Sequence, residues 1–368
     1  MKKYFAFLLS AVILMLASLS GCGYEYAELE LRGTYDKSLE GTELTVYNWG
    51  EYLSLGEDGA IHVNKEFEKL TGIKVNYITF TSNETMYSQL KAGGTHYDII
   101  IPSDYMIQQL INENMLQKID MSKISNYDLI KDDYKKLYFD PNDEYSVPFN
   151  VGMVGVIYNK ELTGGEIEHS WNVLWDEKFK DKVLNFDNPR DAFMTAQMIL
   201  GQDLNTTDKA DWDAAAELLK EGKSNLQAYV MDEIFNKMET GVAAIAPYYA
   251  GDYLTMKEVN PDLEFFYPDE GTNIFVDSIC IPNNAENYDA ALMYINFLLE
   301  PDIATANAEY LGYASPNTAV IENEDYAYYQ NEILYPAEED MPKVQYYHAL
   351  DSETTKYYED LWMEVKLY

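Results

Sequence analysis

The order of apolar and polar positions divides the chain into a short uncharged opening and a long periodic body. Residues 5–19 carry no charge, follow Lys2-Lys3, and end at Leu19-Ser20-Gly21-Cys22. Residues 23–41 are acidic without a sustained apolar period, which predicts a tether. Periodicity starts at 44–47, a β-rich run, and continues with Val63, Phe67 and Leu70 at helical spacing up to Gly72. Residues 73–78 alternate like a half-buried strand, and 82–90 read as a helix capped by Ser82 or Asn83. A buried strand at 98–101 stops at Pro102, and Ser103-Asp104 opens a helix carrying Ile107, Leu110 and Ile111. Strand and helix alternating at these lengths predict parallel βαβ units.

A second set has strands at 154–158, 183–186 and 242–245, with helices from Ser170, from near Arg190, and over 211–219 and 230–238. Helices over 284–299 and 301–311 are expected to rejoin the first set after Asp277, and 351–365 to form a last amphipathic helix. This order predicts two α/β lobes with chain crossings near Pro148 and Phe275. At 368 residues two lobes are also what a hydrophobic core of ordinary size calls for. Phe139-Asp140-Pro141-Asn142-Asp143 has the outline of a calcium loop, but the position that needs glycine holds Tyr145, so a plain turn is expected.

A basic start, a short apolar core and small residues before a cut form a secretory signal, and the run is too short to span a membrane comfortably. Leu19-Ser20-Gly21-Cys22 resembles the lipobox of bacterial lipoproteins. That implies a signal peptide over 1–21, cleavage before Cys22 and diacylglycerol on its sulfur, with 22–41 as lipidated cysteine and tether. The protein is therefore expected outside the cytoplasmic membrane, held to it by lipid. Removing 1–21 takes away Lys2 and Lys3 and no acid, so a net charge of −37 becomes −39. Such a chain repels nucleic acid and gathers cations. The remaining cysteine, Cys280, lies in an apolar stretch and is expected as a core residue rather than a disulfide partner. His62, His96, His169 and His348 are scattered, so no metal site is expected on histidine, and no cofactor. Tyrosine is abundant, at 33 residues, and suits a wet binding cleft.

The first strand runs into Asn48-Trp49-Gly50-Glu51-Tyr52. Ligands of open α/β sheets collect beyond the carboxyl ends of strands, and aromatic rings beside a carboxylate there suit an amine. This segment resembles the extracytoplasmic spermidine/putrescine-binding proteins of bacterial ABC transporters. The resemblance continues through Ser82-Asn83-Glu84-Thr85-Met86-Tyr87, Ile101-Pro102-Ser103-Asp104-Tyr105, Gln117-Lys118-Ile119-Asp120, Phe139-Asp140-Pro141-Asn142, Ser170-Trp171, Phe297-Leu298-Leu299-Glu300-Pro301-Asp302 and Gly312-Tyr313-Ala314-Ser315-Pro316-Asn317. It covers nearly everything from residue 44 to about 345.

The resemblance implies a two-lobed α/β fold of the type II periplasmic-binding-protein kind, each lobe a sheet flanked by helices, with the ligand cleft between them. The first lobe would comprise 42–147 plus about 277–320, and the second 148–276 plus about 321–368. It also implies a ligand set: Trp49, Gly50, Glu51 and Tyr52 on the first loop, Ser103 and Tyr105 on the second, then Asn188, Asp191, Tyr248, Phe275, Asp277, Tyr313 and Gln345. Asn188 stands where the family has an acid, which removes one charge from the set. Glu51, Asp191 and Asp277 would pair with ammonium groups while Trp49, Tyr52, Tyr248, Phe275 and Tyr313 clamp the methylenes.

The expected function is a monomeric solute receptor that closes around spermidine or putrescine and delivers it to a membrane permease. An iron or sugar receptor on the same fold is the alternative. A lipid-anchored hydrolase using Glu51 and Asp277 is a further one, but no nucleophile elbow, HExxH helix or phosphate loop supports an enzyme.

Overall fold

Ten strands form one hydrogen-bonded system. In chain order they are β1 (Glu43–Trp49), β2 (Lys74–Phe80), β3 (Ile99–Ile100), β4 (Ser146–Asn159), β5 (Val183–Phe186), β6 (Leu226–Val230), β7 (Ile245–Tyr249), β8 (Leu263–Phe266), β9 (Thr272–Cys280) and β10 (Val344–Gln345). The computed structural model describes residues 29–368. Residues 31–368 make up one compact unit, and the expected signal peptide, Cys22 and the start of the expected tether lie outside the described residues.

The main path runs β2-β1-β3-β9-β4-β7-β5-β6, with β10 beside β9 and β8 beside β4. At one end β2, β1 and β3 are parallel, and at the other so are β7, β5 and β6. The first trio follows the βαβ pattern read from the sequence; in the second, β6 was not predicted, and the predicted strand at 154–158 belongs to β4, which is antiparallel to β7. Between them stand β4 and β9, buried along their whole length and antiparallel to each other. These two strands carry the chain from one α/β half to the other, which is the two-lobed arrangement. The register slips between Pro148 and Asn150. Proline has no N–H to give the ladder, so a break at this point follows from the residue.

Several elements differ from the sequence-based expectation. β4 begins eight residues before the predicted strand, because a strand buried on both faces loses the alternation that marks its start. Trp171–Trp175 is a 3₁₀ turn capped by the Ser170 hydroxyl rather than a helix. The stretch predicted as helix over 230–238 is the end of β6 followed by a helix over Glu233–Glu239. Neither β8 nor β9 was predicted as a full strand. In the loop after Phe139 the Asp140 carboxylate accepts from the Glu144, Tyr145 and Ser146 amides and the Ser146 hydroxyl, so it is a turn held by its own side chain.

The C-terminal helix Ser352–Leu367 packs against the helices Pro189–Leu200 and Lys209–Glu221. Tyr358 stacks on Trp212 at 4.9 Å between ring centres, and Phe193 meets Trp362 edge-on at 6.2 Å. Cys280 is fully buried, and burial raises its thiol well above the ordinary range. Among the described residues no helix is long and apolar enough to cross a membrane.

The last part of the expected tether lies on the body of the protein. Glu300 is completely buried, and its carboxylate accepts from the amides of Arg32 and Gly33 (2.6 and 2.7 Å), the Tyr35 hydroxyl (2.5 Å) and the Asn126 side-chain amide (2.7 Å). One acid thus fixes the entry of the chain to the helix Pro301–Leu311. Glu300→Gln removes one acceptor oxygen and turns an NH₂ toward donors. The expected loss is about 2–3 kcal/mol, as for hydrogen bonds to a charged group. It should appear in urea unfolding as a lower midpoint at unchanged slope; an unchanged midpoint would refute the role given to Glu300.

Candidate ligand-binding site

The carboxyl ends of the parallel strands converge on one cleft. β1 delivers Trp49 and the loop through Tyr52; Ser103 and Tyr105 follow β3; Asn188 and Asp191 follow β5; Met231 and Asp232 follow β6; Asp252 follows β7. The central strand β9 supplies Asn273, Phe275 and Asp277, whose side chains share one face because residues two apart do. The space enclosed, mouth included, is about 810 Å³. Glu51 sits at an exposed edge of it, whereas Asp191 and Asp277 are 4 % and 3 % exposed.

Twelve of the thirteen residues expected from the resemblance line this cleft: Trp49, Gly50, Glu51, Tyr52, Ser103, Tyr105, Asn188, Asp191, Tyr248, Phe275, Asp277 and Tyr313. Gln345 does not. Its amide oxygen accepts from the Leu204 backbone and its nitrogen donates to the Gln202 carbonyl, so its polar atoms are occupied in joining β10 to a neighbouring loop.

The carboxylates are held by tyrosine hydroxyls. Tyr52 donates to Asp277 Oδ2, while Asp277 Oδ1, buried, has no hydrogen-bond partner. Asp191 accepts from Tyr249 (2.6 Å), Tyr347 (3.0 Å) and the Asn188 amide (3.0 Å). Asp252 accepts from Tyr313 at 2.9 Å. Burial, which disfavours the charged form, pushes the Asp191 and Asp277 carboxyls up to about 6, with the tyrosine bonds opposing it. Burial pushes Asp252 further, to about 8, and the nearby Asp232 and Glu51 add to that. Asp232 is also raised, by burial and then by Glu51.

Asn188 is both a helix cap and a donor. Its Oδ1 accepts from the Arg190 amide at 3.1 Å, and its Nδ2 points at Asp191. An acid here would face Asp191 as a like charge. Arg190, a buried cation nearby, does not line the cleft: its guanidinium lies 4.4 Å from the Tyr347 ring centre and 5.3 Å from that of Tyr105. The rings form a continuous wall. Tyr313 meets Tyr52 edge-on at 5.4 Å, Tyr249 meets Phe275 at 5.5 Å, and Trp49 leans on Phe80 at 4.6 Å.

Asp232, Asp252, Tyr249 and Tyr347 were not read from the sequence. Asp232 follows β6, a strand the pattern did not show, and falls in the stretch read as helix over 230–238, which hid its place at a strand end. Asp252 opens the helix after β7, three residues past Tyr249, and the strand-end rule would have reached it had β7 been placed correctly. Tyr248 packs its ring on Phe186, whereas its neighbour Tyr249 contacts Asp191 and Phe275. Tyr347 arrives from the far C-terminal segment, and nothing local marks it. Counting these, five carboxylates and ten aromatic rings line the cleft, and among the described residues no lysine, arginine or histidine does.

Residues 63–335 match the family of bacterial extracellular solute-binding proteins. The spermidine/putrescine-binding periplasmic protein of Salmonella typhimurium is 34 % identical over 324 residues, covering 88 % of this chain and 91 % of that protein. A solved structure from Listeria monocytogenes superposes with a TM-score of 0.84 at 37 % identity, over 89 % of this chain and 99 % of that one. The spermidine/putrescine ABC transporter substrate-binding protein PotD of Streptococcus pneumoniae gives a TM-score of 0.72 at 34 % identity, with the same coverage. This chain belongs to the bacterial extracellular solute-binding proteins and, within them, to the family of the spermidine/putrescine-binding proteins.

Proposed function

We propose that this protein binds a polyamine, spermidine or putrescine or both, in the cleft and delivers it to an ABC permease, acting as a receptor and not as an enzyme. The observation that carries this reading is the charge of the cleft: five carboxylates among ten rings and, among the described residues, no side-chain cation lining it to balance them. Two or three ammonium groups would supply the missing charge, and their methylenes would lie against the rings. A neutral sugar would leave the acids uncompensated. An iron ion needs clustered ligands, and among the described residues no three His, Cys, Asp or Glu side chains are so grouped. We take the lobes as 42–147 with about 277–320, and 148–276 with about 321–368, and the working form as a monomer.

Calorimetric titration with putrescine, cadaverine, spermidine and spermine tests the reading; no heat and no thermal shift with any of them would end it. Asp277→Asn keeps an acceptor for Tyr52 but removes the charge that meets an ammonium. It should weaken binding by about 2–5 kcal/mol, while the empty protein keeps or gains stability on losing a buried charge. Binding equal to the parent's would remove Asp277 from the site.

Binding should also depend on pH, with a sign fixed by the raised carboxyls. Empty, the cleft holds protons on Asp252 near neutrality, and on Asp191 and Asp277 below about pH 6. A polycation needs the ionised forms, so it expels those protons, and affinity should strengthen from about pH 5 to about pH 8. The empty fold should behave oppositely. Because these acids bind protons more tightly folded than unfolded, their contribution to stability is lost as pH rises from about 4 towards 8. Melting curves with and without spermidine across this range check both halves; a pH-independent affinity would contradict the assignment.

The anchor is tested separately. Cys22→Ser offers no thiol for a thioether, so it should abolish incorporation of a fatty-acid analogue and leave the protein released or as precursor. Equal label on the variant would refute the lipid anchor.

A further inference from the structure

Phe275 and Tyr313 lie in space that side chains at two other positions would fill. Gly152 stands opposite Phe275 in the β4–β9 register. A Cβ on Gly152 would fall 2.3 Å from Phe275 Cζ and 2.8 and 2.9 Å from the two adjoining ring carbons. Gly251, in the first turn of the helix Ala250–Val259, stands in the same relation to Tyr313. There a Cβ would lie 2.3 Å from Cδ2, 2.7 Å from Cε2 and 2.8 Å from Cγ. Neither glycine has a positive φ, so the backbone at both places would accept alanine. What these positions require is room.

Carbon atoms rest about 3.5–4.0 Å apart, so one partner in each contact would have to move. The backbones are the less free. At Gly152 β4 is paired with β9, the adjacent Val151 also bridges to Ala314, and farther along β4 is held by β7 on one edge and β8 on the other. The start of the helix at 250 is packed directly on Gly312, where a Cβ would meet the Gly251 carbonyl at 2.8 Å. On their other side both glycines line a second cavity, of about 660 Å³ with its mouth, beside Val151, Met153, Ile274 and Tyr335. The wall between that cavity and the ligand cleft is thus, at both glycines, one backbone with the ring lying on it. A ring pushed off its glycine moves away from this wall and into the cleft.

We infer that Gly152 and Gly251 are positioning residues of the binding cleft: by lacking side chains they let Phe275 and Tyr313 lie flat on the backbone, and so set the width left for an alkyl chain. The inference rests on the polyamine reading of the cleft. Alanine at either position narrows the slot between the rings, and at Gly251 it also tilts Tyr313 away from Asp252, to which its hydroxyl donates.

The test is a pair of double-mutant cycles, Gly152→Ala with Phe275→Ala and Gly251→Ala with Tyr313→Ala, titrated with spermidine and putrescine alongside thermal melts. Each glycine variant alone should weaken spermidine binding about tenfold or more. In the background where its ring has been removed, the same change should alter affinity by less than about twofold, since the collision is gone. A glycine variant too unstable to purify should be rescued by that second substitution, which restores the room. Parental affinity in the single variants, additive losses in the doubles, or failure of the second substitution to rescue would each overturn the inference. A parent protein that binds no amine at all would bring down the polyamine reading and this inference with it; a parent that binds, with additive losses, would bring down this inference alone.

Discussion

The structure is organised around negative charge that it gathers and does not neutralise. Placing carboxylates in a cleft costs solvation free energy, and the usual remedy is a partner lysine or arginine in ion-pair contact. Here the partners are tyrosines: Tyr52 for Asp277, Tyr249 and Tyr347 for Asp191, Tyr313 for Asp252. A phenol satisfies one lone pair while leaving the charge in place. Burial, together with the neighbouring acids, holds these four hydroxyls well above their ordinary range, so they remain donors at any physiological pH. Their rings meanwhile form the apolar wall. One residue type thus orients the acids and lines the slot, which gives the abundance of tyrosine in this chain a physical use.

That arrangement requires groups far apart in sequence to be fixed relative to one another, and β4 and β9 do this. They are the strands shared by the two α/β halves, and β9 carries Phe275 and Asp277 into the middle of the cleft. Residues on β1 and β3 loops approach from one side, and those following β5, β6 and β7 from the other. The sides come close at the mouth, where a Cβ on Gly50 would lie 2.6 Å from an Asp232 oxygen. With Glu51 and Asp232 gathered there, approach of the two sides works against like-charge repulsion until a cation enters.

The parts of this picture that were legible in the sequence are those with local signatures. The parallel trio β2-β1-β3 shows strand and helix periods, and its helices carry caps such as Ser82, whose hydroxyl accepts from Thr85. The loops at Trp49 and Ser103 could be placed because each directly follows such a strand. The middle of the fold was harder. β4 and β9 are buried on both faces, so no alternation marks their limits, and β6 has four half-buried residues in a row, which show no alternation either. Misplacing β6 and β7 concealed Asp232 and Asp252. Gln345 shows the converse: a residue assigned by resemblance alone can have its polar atoms committed to the backbone.

The same accounting separates an amine from the other ligands this fold could hold. A metal ion draws its ligands to within about 2–2.6 Å of one point. Here Asp191, Asp252 and Asp277 instead each have their own tyrosine donor, and rings line the cleft beside them. Charge in separate stations with apolar surface between is the complement of ammonium groups spaced by methylenes. The buried cation near Asp191, Arg190, has its guanidinium against the Tyr347 and Tyr105 rings behind the lining. It moderates the local charge without reaching the place an ammonium would take. Asn188 fits this scheme as a neutral donor: it holds Asp191 in place and caps the helix that presents it, without adding a sixth carboxylate to a cleft already short of positive charge.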